Sequence, residues 1–211
     1  MKTLIFILTF LTFTSTPTLS QEKGKKILER VAENTRNMGA VKILFTYSMT
    51  NEEQGINESY EGELLSKGEK YRLKITGQEV YSNGETIWTY IPDAMEVQVS
   101  TAEQGSGGFN PTSVLTDYED KFEVKLLEEK TIENREVAIL KLTPKKEEQF
   151  KKAHIVIDKA KDELLSLTIF DEIGNEFTYK VEELLPNIGL QGNEFKFDES
   201  QHPDVDVIDM R

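Results

Sequence analysis

There is no cysteine anywhere in the 211 residues. That excludes disulfide bonds and thiol redox chemistry, and an exported domain of this size must then rely on its apolar core. It also excludes lipidation of the chain itself, which needs a cysteine at the first mature position. Histidine is nearly as scarce, with His154 and His202 alone. His154 lies in an apolar strand pattern and reads as structural. His202 lies among Glu199, Asp204, Asp206 and Asp209, which read as a solvated acidic tail because their spacing matches no metal motif. No G-x-S-x-G elbow, P-loop or G-x-G-x-x-G pattern occurs, and no carboxylate pair stands out from the many present. An enzyme is therefore not expected, nor a metal or other cofactor. Positive charge is also in deficit: 25 Lys and Arg face 38 Asp and Glu, a net charge of −13. Such a chain repels phosphate backbones, so nucleic acid is not expected as a partner. It lacks the basic patch of a protein that docks on anionic lipid. No apolar run approaches the roughly 20 residues that a membrane-crossing helix requires.

The N-terminus carries Lys2, an apolar run from Leu4 to Phe13 broken by Thr9 and Thr12, and a polar stretch with Pro17. Thr18 and Ser20 are small enough for the −3 and −1 positions of a signal-peptidase site. This layout predicts a secretory signal peptide over residues 1–20, cleaved after Ser20. The remaining residues, 21–211, are of a length that suits a single domain.

Ile27, Leu28, Val31 and Met38 recur at helical spacing, predicting an amphipathic helix over Gly24 to Met38 that stops at Gly39. Strand signals then follow one another. Val41, Ile43, Phe45, Tyr47 and Met49 alternate with Lys42, Thr46, Ser48 and Thr50. Tyr60 to Ser66, Tyr71 to Thr76, Val80 to Ser82, Thr86 to Ile91 and Met95 to Ser100 continue the pattern. Asn83-Gly84 predicts a type I′ hairpin turn. The stretch QGSGGFNP, Gln104 to Pro111, reads as a flexible loop, with a short helix after it over Thr112 to Tyr118. Strands resume at Lys121 to Glu128 and Arg135 to Thr143, turning at Glu133-Asn134. A charged helical turn over Lys145 to Lys151 precedes a meander of His154 to Asp158, Leu164 to Asp171 and Asn175 to Leu185. A last short strand is predicted over Glu194 to Phe197. The fold class expected is α+β, mainly β: one large curved antiparallel sheet, curled because so many strands do not stay flat, with a helix over its hollow face.

At this level the sequence resembles the LolA family. Val80 to Pro92, VYSNGETIWTYIP, is similar to the family's strand, D/N-G turn and K-T-L-W-x-Y-x-P strand, with Gly84, Trp88, Tyr90 and Pro92 in register. Gly62 to Leu73 resembles the preceding strand–turn–strand, and Ile139 to Pro144, ILKLTP, its L-T-P strand. The C-terminal FKFDESQHPDVDVIDMR resembles its closing segment, with Phe195 and Phe197 in place. The likeness runs in order through nearly the whole expected mature chain. It implies a half-open β-barrel with short helices as a lid over an apolar face, in a periplasmic monomer. It also implies partners: acylated lipoproteins as cargo, an inner-membrane ABC lipoprotein exporter as donor, and an acceptor at the outer membrane. Three departures accompany it. Lys67 stands where the family has a lid-locking Arg and lacks the planar donor fork. Tyr71 and Leu73 stand at a pair of family aromatics. Ser200-Gln201-His202-Pro203 replaces a proline pair.

A carrier of acyl chains needs an apolar, loosely filled cavity closed by movable pieces. The candidate lining is Phe45, Tyr47, Tyr71, Leu73, Ile75, Ile87, Trp88, Tyr90, Phe122 and Val124. Ile87 and Trp88 must point to opposite faces of their strand. The candidate lid residues are Ile27, Leu28 and Val31 on the helix and Phe109 and Leu115 after the Gly-rich loop, with Lys67 as latch. Readings from other classes are a periplasmic lipid- or lipoprotein-binding sensor, a dedicated carrier of another lipid, a membrane-anchored acceptor (against which the missing cysteine argues) and a hydrolase on a similar barrel.

Overall fold

A computed structural model describes residues 18–102, 118–146, 150–190 and 192–211. Most of the expected signal segment, all of the Gly-rich loop, and Phe109 and Leu115 lie outside the described residues. So does most of the short helix expected over Thr112 to Tyr118.

Helix α1 (Leu19–Asn37) starts earlier than the apolar spacing indicates, because a cap sets its beginning. The Gln21 backbone N–H donates to the Thr18 hydroxyl, and the Gln21 side chain accepts from the Thr18 backbone N–H at 2.7 Å. This reciprocal pair satisfies two donors that the first helical turn leaves free. The helix ends at Met38, followed by Gly39 with φ +67°, a left-handed position where glycine carries no steric cost. Its buried stripe is Gly24, Ile27, Leu28, Val31 and Ala32.

Among the described residues twelve strands follow: β1 (Ala40–Asn51), β2 (Ile56–Lys67), β3 (Lys70–Ile75), β4 (Gln78–Ser82), β5 (Thr86–Ile91), β6 (Glu96–Thr101), β7 (Phe122–Ile132), β8 (Arg135–Pro144), β9 (Lys152–Asp158), β10 (Glu163–Phe170), β11 (Glu176–Pro186) and β12 (Asp206–Asp209). All join one sheet in the order β12-β6-β5-β4-β3-β2-β1-β11-β10-β9-β8-β7. Neighbours are antiparallel except β12, which runs parallel to β6. One turn of helix, α2 (Tyr118–Lys121), leads into β7.

Three register shifts curl the half of the sheet under α1. They fall at Leu127 in β7, Leu165 in β10 and Glu182 in β11. A bulge inserts an unpaired residue and increases local twist. It also lets two residues three apart share a face, so Leu164 and Leu167 point the same way, as do Val181 and Leu184. At Leu127 the extra residue is turned outward, 44% exposed.

Two cores result on the concave face. The larger joins Ile27, Leu28, Val31 and Ala32 of α1 to Phe122, Val124, Leu140, Leu142, Ile155, Ile157, Leu167 and Ile169. The smaller gathers Phe45, Leu64, Tyr71 and Leu73 with Ile43, Tyr47 and Ile75. A third, on the opposite face, holds Trp88, Val97, Val99 and Phe197.

Several local expectations are corrected. Asn83-Gly84 is not a type I′ turn: Gly84 alone has positive φ, and Asn83 Oδ1 instead accepts from the N–H groups of Glu85 and Thr86. That Asx arrangement stabilises a three-residue loop without left-handed Asn. The pair with both residues at positive φ is Glu133-Asn134. Glu194 to Phe197 is a turn rather than a strand, and it buries Phe195 and Phe197 together, each 2% exposed. The last strand is β12, inside the segment that reads in the sequence as a solvated tail. Of the helical turn expected over Lys145 to Lys151, only the flanks are described, as bends.

Candidate functional site

The gap between the two concave cores is a cavity of about 190 Å³. Its floor is the sheet: Val41, Ile43 and Phe45 of β1, Leu64 and Ser66 of β2, Leu73 of β3, Leu164 and Leu167 of β10, and Tyr179, Val181 and Leu184 of β11. Its roof is the last turn of α1, through Ala32, Thr35, Arg36 and Met38. Strand alternation aims Val41, Ile43 and Phe45 at one face, and the β10 and β11 bulges bring four aliphatic residues onto it. The lining is thus apolar except for Thr35 and Ser66 and, among charged groups, Arg36 and Glu163.

An aromatic file continues the floor outward. Phe45 meets Tyr179 at 5.7 Å, Tyr179 meets Tyr47 at 5.1 Å, and Tyr47 stacks on Tyr60 at 6.5 Å. Tyr60 is 37% exposed. Such offset and tilted pairs add to area burial. Burial, with the neighbouring Tyr47, pushes the Tyr179 hydroxyl up to about 12, so it stays protonated and adds no charge to the cavity wall. Gly62 lies opposite Phe45 in β2, and a Cβ there would stand 2.3 Å from the Phe45 ring. The absent side chain lets the ring lie flat across β2.

Helix α1 is anchored along its length. Gly24 brings it so close to β7 that a Cβ would stand 2.8 Å from the Leu126 backbone nitrogen. Arg30 pairs with Asp162 at 3.0 Å, and the Asn34 amide donates to the Lys161 and Asp162 carbonyls.

Of the residues singled out in the sequence, Phe45 and Leu73 line the cavity. Tyr47, Tyr71 and Ile75 pack around the same core, and Ile87 shares their face through its pairing with Ser82. Phe122 and Val124 belong to the core under α1, as do Ile27, Leu28 and Val31, which hold the helix down rather than line the cavity. Trp88 and Tyr90 are a correction: they lie on the opposite face, in the cluster covered by Phe197 and Val205. Tyr90 packs there against His202 at 4.7 Å, so His202 is an aromatic contact and not a member of an acidic cluster. Among the described residues no three His, Asp or Glu side chains converge on a metal position. Lys67 is exposed and forms no ion pair with a described residue. Val181, Leu184, Leu164 and Tyr179 are not evident in the sequence. Bulges break the period-two signal that would place the first three on the cavity face, and Tyr179 is identified only by its pairing with Tyr47.

On the outer face a polar cluster forms around Glu79. Glu79 accepts from Tyr81 at 2.7 Å and pairs with Lys74 at 2.9 Å and Arg72 at 3.3 Å. Burial pushes the Glu79 carboxyl up, but these partners outweigh it and hold the group below its ordinary value. Burial and the bond to Glu79 push Tyr81 up to about 12.

A strongly curled open antiparallel sheet with a helix over an apolar cavity defines a half-open β-barrel with an apolar interior. Within that class, the chain belongs to the LolA family: the model of the outer membrane lipoprotein carrier protein LolA matches residues 36–198. No curated protein sequence matches the chain significantly. Solved structures with the same fold include an uncharacterized conserved protein from Thermus thermophilus, at 15% identity and TM-score 0.61, covering 89% of this chain and 99% of that one. A DUF1329 family protein from Desulfovibrio piger aligns at 15% identity and TM-score 0.54, over 88% of this chain and 100% of that one. A putative outer membrane lipoprotein-sorting protein domain from Vibrio parahaemolyticus aligns at 15% identity and TM-score 0.50, over 83% and 97%. At such identities the likeness concerns the fold alone.

Proposed function

We propose that this protein is a periplasmic carrier of acylated proteins. It receives lipoproteins from an inner-membrane ABC exporter, shields their acyl chains, and delivers them to an acceptor at the outer membrane. No catalytic step is involved. The observation that carries the reading is the apolar cavity roofed by one turn of helix. An acyl chain left in water costs about 0.8 kcal/mol per methylene, so only an apolar enclosure makes a lipidated protein soluble. Release requires that the enclosure open, which means parting the last turn of α1 from the sheet and breaking the Asn34 bonds to the Lys161 and Asp162 carbonyls. No described helix is long and apolar enough to cross a membrane.

The test is co-expression with a lipoprotein, purification without detergent and native mass spectrometry. A one-to-one complex is expected, lost when the cargo's anchor cysteine is replaced. Ile43→Glu, placing a charge on the half-buried wall, is expected to cut the yield of complex about tenfold, since a charge facing an alkyl chain costs more than the roughly 1.4 kcal/mol that factor represents. Ile208→Glu, on exposed β12, leaves it unchanged. Absence of acylated cargo with the exporter present removes the reading.

A further inference from the structure

The cavity carries a shape and a charge that together describe a ligand. Beyond Phe45 its floor continues as a single file of rings, Tyr179, Tyr47 and Tyr60, which offers one alkyl chain a continuous apolar path.

The mouth also carries an unpaired cation. In a chain of net charge −13, the cavity lining includes Arg36, which is exposed and forms no ion pair or side-chain hydrogen bond with a described residue. The other charged lining group, Glu163, has Lys161 at 3.9 Å. Gly68, also in the lining, lies in the exposed turn Lys67-Gly68-Glu69-Lys70, whose two lysines form no ion pair with a described residue. A basic residue in the last helical turn offsets the helix dipole in any protein. Here the same residue stands beside an apolar channel with its donor fork free, the geometry that suits a carboxylate or phosphate.

We propose that the cavity is the seat of a single-chain anionic amphiphile, its one alkyl chain along Phe45, Tyr179 and Tyr47 and its anionic head at Arg36. The inference rests on the apolar cavity of the carrier reading and names a ligand class that it accepts. Fatty carboxylates and single-chain phosphate esters share the required chemistry.

The test uses three twelve-carbon probes, dodecanoate, dodecyl phosphate and dodecanol, titrated calorimetrically into the purified protein at low salt. Both anions are expected to bind about tenfold tighter than the alcohol, the usual value of a charge-assisted hydrogen bond. Whichever anion binds tighter identifies the head as carboxylate or phosphate. Arg36→Gln is expected to erase the preference and Arg36→Lys to keep most of it. Dodecanol affinity should stay unchanged in both, which reports an intact fold and cavity. Equal affinity for alcohol and anions, or a preference that survives Arg36→Gln, overturns the headgroup assignment and leaves the carrier reading standing. Failure of all three probes to bind overturns it as well, and removes the carrier reading only if acylated cargo also fails to co-purify.

Discussion

His154 stands on the outer face of β9, edge-on to Phe170 at 4.8 Å. Lys152 lies over the same Phe170 ring at 4.3 Å, and Lys141 pairs with His154 across the strands. Burial first, then the charges of Lys152 and Lys141, lower the imidazole pKa below its ordinary value. As pH falls, the unfolded chain therefore binds a proton at this site before the folded protein does. Stability from His154 is complete above the unfolded value of about 6.5 and declines as pH falls from there toward the lowered folded value. His154→Leu is expected to flatten the fall of Tm between about pH 7 and pH 5, the range that brackets that transition. Differential scanning calorimetry across that interval checks it. A variant whose Tm falls as steeply as the parent's would place the acid sensitivity elsewhere. The histidine that the sequence marks as structural thus acquires a measurable consequence, whereas His202, ringed by Tyr90 and Phe197, is an aromatic contact.

At the scale of elements, α1 is held in its last turn by Asn34 and near its start by Gly24, whose position against β7 leaves no room for a Cβ. In an isolated helix Gly→Ala gains about 1 kcal/mol. Here the added methyl meets backbone, and overpacking costs about 1–3 kcal/mol. The second effect wins, so Gly24→Ala is expected to lower stability by about 1 kcal/mol net in urea unfolding. A gain instead would mean that the helix rides loosely on β7 and that the whole element, not only its last turn, can lift. Thr18 closes the capping box at the start of the same helix, yet cleavage after Ser20 would remove it. The mature helix would then begin without that cap, and the contact of Gly24 with β7 would fix its first turn.

For the whole molecule, the decisive feature is that the sheet is open. Among the described residues it has two edges, β7 and β12. β12 covers β6, with the Asp206 N–H bonded to the Met95 carbonyl and the Met210 N–H to that of Val99, both at 2.8 Å. It carries Asp206 and Asp209, charges that discourage further strand addition. A chain ending at Val205 would bare the backbone of β6 beside the buried Val97 and Val99. Sedimentation velocity is expected to reveal concentration-dependent self-association in that truncation and not in the full chain. A truncation that stays monomeric would indicate that the edge is protected by other means.

Much of this architecture is local and legible in the residues. Alternation in β1 places Val41, Ile43 and Phe45 on one face because side chains alternate regardless of what they meet. The helical spacing of Ile27, Leu28 and Val31 marks a buried stripe for the same kind of reason. Absent cysteine and excess acid bound the chemistry without any fold. The cavity itself is not legible. Three bulges, at Leu127, Leu165 and Glu182, change which residues share a face, and a bulge depends on the partner strand's register rather than on its own sequence. The side of the sheet on which Trp88 and Tyr90 fall is undetermined for the same reason: alternation separates them from Ile87 but does not say which face the helix will cover. The C-terminal segment reverses two expectations, because burying Phe195 and Phe197 together takes a turn and β12 exists only where β6 offers it an edge. The sequence by itself determined which residues are apolar and how they alternate. Only the tertiary structure decided which of those faces closes over a core, which encloses a cavity, and that Arg36 stands at its mouth.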